Sequence, residues 1–346
     1  MKARVKWGVI GSGGIARRRT IPEGFVPAQN AHLVAVWDAS AAINKEVAKE
    51  FGALPASSLD ALLAAGIDAV YVASPVQAHQ EQVIACARAG KHVLCEKSLG
   101  RTVAEAEAMT TACRQAGVQL GTALMMRFQT QHEAAAKLLR DGKLGKPVYA
   151  RAQLSCWYPP MPNAWRQDPT LGGGGSLIDM GSHCIDLLEM FFGPVKSVSC
   201  FTNNTIHAYP SEDSAVALLR FANGALGSVD TFFCIQDNSS KNALELYGSK
   251  GSILASGTIG QGSQGDMTAY LAPEDAGYQA QQARAAGDGL KIVPEPRNMY
   301  RAEIEAFSEA LLDQKPSPLS ADIGLHSQKV LAACYESART GRAIEL

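Results

Sequence analysis

The chain lacks most of the features that mark special classes of protein. It has no CxxC pair, although it carries eight cysteines: Cys86, Cys95, Cys113, Cys156, Cys184, Cys200, Cys234 and Cys334. Several fall inside apolar runs. They read as buried, reduced thiols of a cytoplasmic enzyme, with neither a disulfide framework nor a zinc site. There is no charge excess, since 32 Lys and Arg face 33 Asp and Glu. A nucleic-acid footprint needs a basic surplus, so no nucleic-acid partner is expected. No apolar run reaches the roughly 20 residues that cross a bilayer, so no membrane partner is expected either. The opening Val5–Ile10 stretch is too short for a signal-peptide core. What remains is a globular composition, 47% hydrophobic and 19% charged. At 346 residues the chain exceeds what one core usually serves, which predicts two domains.

The first part alternates between two periods. Strand-like runs at 6–11, 33–37, 69–73, 92–95 and 119–123 are separated by helix-like runs at 14–28, 39–51, 57–66, 77–89 and 103–116. Helices closed by glycine and followed by short Val- and Ile-rich runs are the pattern of βαβ units, and predict a doubly wound parallel sheet over residues 1–124. Beyond it the texture changes. A helix is expected at 131–141 and another at 176–192. Strands are expected at 148–157, 197–203, 214–221, 225–235 and 242–247, with Asn223-Gly224 as a hairpin turn. Consecutive strands on short turns predict an antiparallel sheet, so residues 125–346 read as an α+β domain. The stretch 257–289, rich in Gly, Gln and Ala, reads as a long loop or flap. Helices at 299–312 and 323–340 finish the chain.

Gly11-Ser12-Gly13-Gly14-Ile15-Ala16 matches G-x-G-x-x-A directly after a strand and at the start of a helix. The first glycine allows a tight turn and the second lets a pyrophosphate approach the backbone. Ala16 lets helix and sheet pack closely. The helix N-terminus then offers free N–H groups to the anion. Asp38 ends the second strand, where a carboxylate accepts the adenosine ribose hydroxyls and repels a 2′-phosphate. That pattern favours NAD. Arg17-Arg18-Arg19 one turn along the helix leave NADP open, because a nearby arginine can take a 2′-phosphate. The bland reading of the triplet is a solvated face with one phosphate contact.

His92-Val93-Leu94-Cys95-Glu96-Lys97-Ser98 puts two charges at the carboxyl end of a sheet strand, the edge where open α/β sheets bind ligands. A partly desolvated lysine there can donate to a substrate hydroxyl. Farther on, Gly172 to Gly175 lead into a run holding Asp179, His183 and Asp186. On a helix all three would share one face. The glycines would let another group come close to the start of that helix. A carboxylate beside a histidine suits proton transfer. No second histidine or cysteine cluster accompanies them, so no metal site is expected. Trp157-Tyr158 and Trp165-Arg166 precede the glycine run, and Arg127 lies where the chain passes between the expected domains. Aromatic faces and forked donors suit polyols, which makes Arg127, Tyr158, Trp165 and Arg166 candidate substrate contacts. Packing around Pro159-Pro160 explains the loop residues equally well.

Taken together, Gly11 to Ala16, Ser74-Pro75-Val76-Gln77-Ala78-His79, Ala89 to Lys97 and Gly172 to Asp186 resemble the glucose–fructose oxidoreductase and inositol dehydrogenase (Gfo/Idh/MocA) family, in the family's order. The resemblance implies a Rossmann domain followed by a large open, mainly antiparallel sheet, with substrate between the two. It implies Lys97, Asp179 and His183 as the catalytic set. It also implies that Ser74, Pro75 and His79 border the cofactor and that Glu96 helps hold the ribose near the nicotinamide. A homodimer or homotetramer built on the open sheet face is expected. The family's Glu-Lys-Pro is Glu96-Lys97-Ser98 here. A serine takes a cis bond only at a cost of about 3 kcal/mol, so Lys97 reaches the site either by a trans route or over a retained cis bond.

The chemistry expected is hydride transfer between a nicotinamide and a secondary hydroxyl or ketone of a sugar or cyclitol. His183 takes the hydroxyl proton and Lys97 steadies the reacting oxygen. Lys97 also depresses the histidine's pKa, and Asp179 orients His183 or grips a substrate hydroxyl. Two alternatives share the cofactor site. One is a glycosidase that oxidises its sugar only transiently. The other is a dinucleotide sensor without turnover, for which all of Lys97, Asp179 and His183 would be superfluous.

Overall fold

Short runs that are apolar on both faces must be covered twice, and a parallel sheet with helices on each side does this. The computed structural model describes residues 3–272, 278, 280 and 288–346. It pairs β1 (Val5–Ile10), β2 (Ala31–Trp37), β3 (Leu54–Pro55), β4 (Ala69–Val72), β5 (His92–Glu96) and β6 (Leu120–Ala123) in one parallel sheet. Their order is β3-β2-β1-β4-β5-β6. Strand order reverses between β1 and β4, and a crevice opens there at the carboxyl edge. The first helix departs from a plain α-helix. It widens over Ala16–Phe25 into a π-helix that holds Pro22. A wide turn tolerates the N–H that proline lacks.

The second sheet contains β7 (Pro147–Ser155), β8 (Val195–Asn203), β9 (Ser214–Phe221), β10 (Leu226–Phe232), β11 (Ala243–Gly248), β12 (Gly251–Ser256), β13 (Asp266–Leu271), β14 (Leu290–Lys291) and β15 (Ile344–Glu345). It is antiparallel except where β10 lies beside β7. Strand β9 shows how the sheet is sided. Ala215, Ala217, Leu219 and Phe221 are buried, and Val216, Leu218 and Arg220 between them are exposed. On the buried face sits the apolar helix Ser182–Phe192, packed among Ala150, Ala152, Val229 and Leu244.

One expectation needs correction. The stretch 257–289 is not one loop, because β13 runs through it, paired over six residues with β12. Glycines and serines around both strands mask their alternation, and the backbone ladder decides. Residues 273–277, 279 and 281–287 of that stretch lie outside the described residues. The helix Met299–Leu312, late in the chain, returns to the first sheet. Its Ile304 and Phe307 share a core with Trp7 and Val9, and the Trp7 indole donates to Ser308 Oγ at 3.0 Å.

Candidate active site

The crevice is a cavity of about 1010 Å³ between the carboxyl edge of the first sheet and the buried side of the second. At one end lies the glycine loop. Gly11 has φ +72°, and a Cβ there would fall 2.4 Å from the Ser74 backbone nitrogen, so only glycine lets β1 and the loop after β4 meet. Gly13 N–H donates to Asp38 Oδ2 (3.1 Å) and Ser40 N–H to Oδ1 (2.9 Å), which fixes the carboxylate on the cavity wall. Gly14 and Ile15 also line the cavity. Ser12 does not; its side chain is fully buried and its hydroxyl has no partner among the described residues. Among the described residues nothing lies within 4 Å of where a Gly14 Cβ would stand. An open glycine cradle at a helix start, with a carboxylate beside it, fits a dinucleotide.

The loops after β4 and β5 form the middle of the wall. Ser74 Oγ donates to Gln82 Oε1. The His79 ring bridges the loops, with Nε2 2.9 Å from the Ser74 carbonyl and Nδ1 3.2 Å from those of Ser98 and Leu99. Burial lowers its pKa, so the neutral ring has one N–H and donates to one side only. Glu96 accepts from the Tyr71 hydroxyl, and burial raises its carboxyl above the usual range. The Lys97–Ser98 bond is cis, the second of the two routes open to Lys97.

At the far end Lys97 meets Asp179, in the helical turn Leu177–Gly181. Its Nζ donates to both the Oδ1 and the backbone carbonyl of Asp179, each at 2.7 Å. Arg166 Nε lies 3.0 Å from the same Oδ1, near enough for an ion pair but out of line for a hydrogen bond. The Arg166 guanidinium sits 4.1 Å over the Trp165 ring. Burial alone would raise the Asp179 carboxyl; Arg166 and Lys97 overcome it and hold it far below the usual range. His183 opens on the same cavity, its pKa lowered to about 3 by burial first and by Lys97 second. The Asp179 carboxylate is therefore engaged with two cations and makes no hydrogen bond to His183 among the described residues.

The helix under these groups begins as a π-turn, Leu177–Gly181, before Ser182–Phe192. Its glycine approach admits Glu212. The Glu212 carboxylate accepts from Gly175 N–H (2.9 Å), Leu177 N–H (3.0 Å) and the Tyr335 hydroxyl (2.9 Å). A Cβ on Gly175 would stand 1.9 Å from the Glu212 carbonyl oxygen.

Asp186 does not join Asp179 and His183. It is buried and gripped by Arg127, with Nη2 2.7 Å and Nε 2.8 Å from Oδ1. That pair accounts for Arg127, which does not line the cavity. Tyr158 does not line it either; its ring packs on Phe233 with centroids 4.8 Å apart. Trp165 and Arg166 do. Among the described residues no three His, Cys, Asp or Glu side chains converge as a metal site needs. The sequence reading missed Cys156, at the end of β7, and Tyr300 of the returning helix, both in the cavity wall. Burial pushes the Cys156 thiol up to about 12, so it stays protonated. Tyr300 is buried, and its hydroxyl has no partner among the described residues. No local pattern announces Tyr300, because it arrives from the far end of the chain.

Known proteins resemble the chain over nearly its whole length. The model of an oxidoreductase family with an NAD-binding Rossmann fold matches residues 5–124, and that of the GFO/IDH/MocA C-terminal domain matches 132–254. A 1,5-anhydro-D-fructose reductase of Ensifer adhaerens is 29% identical over 99% of this chain and 98% of its own. A D-xylose 1-dehydrogenase (NADP(+)) of Haloferax volcanii is 31% identical over 98% and 99%. The crystal structure of an aldose-aldose oxidoreductase from Caulobacter crescentus, complexed with glycerol, superposes with a TM-score of 0.88 at 27% identity, covering 99% of this chain and 100% of that one.

Proposed function

The chain belongs to the Gfo/Idh/MocA oxidoreductases, and from that premise we propose how its residues serve the reaction. It is an NAD(P)-dependent enzyme that moves a hydride between the cofactor and a secondary hydroxyl or ketone of a sugar or cyclitol. The observation that carries the residue assignment is the meeting of Lys97, Asp179, Arg166 and His183 in one cavity with the glycine loop and Asp38. A bound nicotinamide supplies the hydride acceptor or donor. Gly11, Gly13, Gly14 and Ile15 cradle the cofactor's phosphates and Asp38 takes the adenosine ribose, which favours NAD over NADP. Ser74, Pro75, His79 and Glu96 wall the nicotinamide half.

Neutral His183 accepts the proton of the reacting hydroxyl. A lysine ammonium has three donors. Two of Lys97's are held by Asp179, which leaves the third for the reacting oxygen as charge develops on it. Asp179 thus positions Lys97 and Arg166 more directly than it does His183. Trp165 and Arg166 give the sugar a ring face and a donor. Residues 1–124 form the cofactor unit and 125–346 the substrate and assembly unit. The eight unpaired cysteines suit a cytoplasmic setting. Among the described residues no helix is long and apolar enough to cross a membrane.

The test is a spectrophotometric screen of sugars and cyclitols, with NAD and NADP in parallel. Net reduction of cofactor by at least one polyol is expected, faster with NAD. No absorbance change with any of them, in either direction, would count against net dehydrogenation.

A further inference from the structure

The three consecutive arginines of the first helix are not equivalent. Arg17 is spent on the neighbouring helix, with Nη1 3.0 Å from Glu46 and Nε 2.9 Å from Glu50. Arg19 is spent on the other side, with Nη1 2.6 Å from Glu23 and Nε donating to Gln261 Oε1 at 3.2 Å. Arg18 lies between them. Among the described residues it makes no ion pair and no side-chain hydrogen bond, and it lines the cavity with Gly11, Gly13 and Gly14. Arg17 N–H donates to the Gly13 carbonyl at 3.1 Å, so the first turn is α-helical and Arg18 stands one turn above Gly14. Helical side chains lean back toward the N-terminus. A long side chain at this position therefore reaches over the glycine cradle, where the helix end already favours an anion.

We propose that Arg18 is the side-chain ligand of the cofactor's pyrophosphate, an ionic clamp added to the backbone cradle. This rests on the cofactor reading above. A guanidinium takes phosphate oxygens in a forked pair, and its charge opposes that of the diphosphate. The position also separates it from a 2′-phosphate reader. The adenosine side of the loop is marked by Asp38 and the helix Ala41–Phe51, and it is Arg17 that turns that way.

The experiment is equilibrium binding of NADH, NADPH and ADP-ribose to the full chain at low and high salt. Wild type, Arg18→Gln, Arg18→Lys and Arg17→Gln are compared. Arg18→Gln is expected to weaken NADH and ADP-ribose alike, by about 5- to 20-fold at low salt, with a smaller loss at high salt. Arg18→Lys recovers part of the loss, and Arg17→Gln binds as wild type does. Unchanged affinity in Arg18→Gln overturns the proposal, and so does a loss confined to NADPH, which would make Arg18 a 2′-phosphate contact. Failure of wild type to bind any of the three would instead sink the cofactor reading. Arg18 is exposed, so loss of folding does not confuse the comparison.

Discussion

Among single residues, the charge arrangement around His183 has the clearest consequence. Its ring is buried near a lysine, and both effects disfavour the imidazolium, taking the pKa from 6.5 to about 3. A base with that pKa is already neutral across the working range. The pH profile of kcat/KM for polyol oxidation reports the essential groups before substrate binds. We expect no acid limb from His183 between pH 8 and pH 5; a limb near pH 6.5 would show an unperturbed imidazole. His183→Ala should lower kcat by about 10²- to 10⁴-fold with cofactor affinity intact. Turnover within a few-fold of wild type would remove His183 as the base. Asp179 belongs to the same argument from the other side. Spacing along the helix suggests that it serves His183, four residues on. Two cations delivered from other parts of the chain, Lys97 and Arg166, outbid the neutral ring for its carboxylate.

At the level of elements, the helix that carries His183 depends on its glycine approach. The groove there is filled by Glu212, whose carboxylate accepts from N–H groups at the positive end of the helix. Gly175→Ala forces a methyl group into the Glu212 carbonyl and should cost more than about 3 kcal/mol in urea unfolding, beyond ordinary overpacking. Glu212→Gln keeps the shape but turns an N–H donor toward N–H groups, at about 1–3 kcal/mol. Gly175→Ala within about 0.5 kcal/mol of wild type would show that the approach is not tight. The same region shows how far sequence carries. The glycine loop and Asp38 are legible because their geometry is local, a turn between one strand and one helix. Lys97 is legible because it ends a buried strand. Glu212 is not, since it lies 35 residues beyond Leu177 and looks like any loop carboxylate. Nor is the Arg127–Asp186 pair, 59 residues apart, which turned a candidate substrate contact into a structural one. Strand β13 was hidden for a related reason. Its identity lies in its pairing with β12 rather than in its own alternation.

For the molecule as a whole, the two faces of the second sheet have different tasks. The inner face holds the helix of His183. The outer face presents Phe201 (76% exposed), Leu218 (58%), Leu226 (54%) and Val216 (41%), with Phe201 directly opposite Val216 on the neighbouring strand. Ion pairs of Arg151 with Asp230 and Glu245 lie farther across the same face. An apolar sheet face with a polar inset is expensive to leave in water and suits a self-complementary contact between copies. We therefore expect a homodimer or homotetramer, as light scattering of the purified chain would show by a mass of two or four times 36.6 kDa. Leu218→Glu combined with Phe201→Glu places like charges on an apolar contact and should yield monomer. Because the cavity lies on the opposite side of the sheet, the monomer should still bind NADH with near-native affinity. A wild-type mass of one chain, or an assembly indifferent to both charges, would put the contact elsewhere.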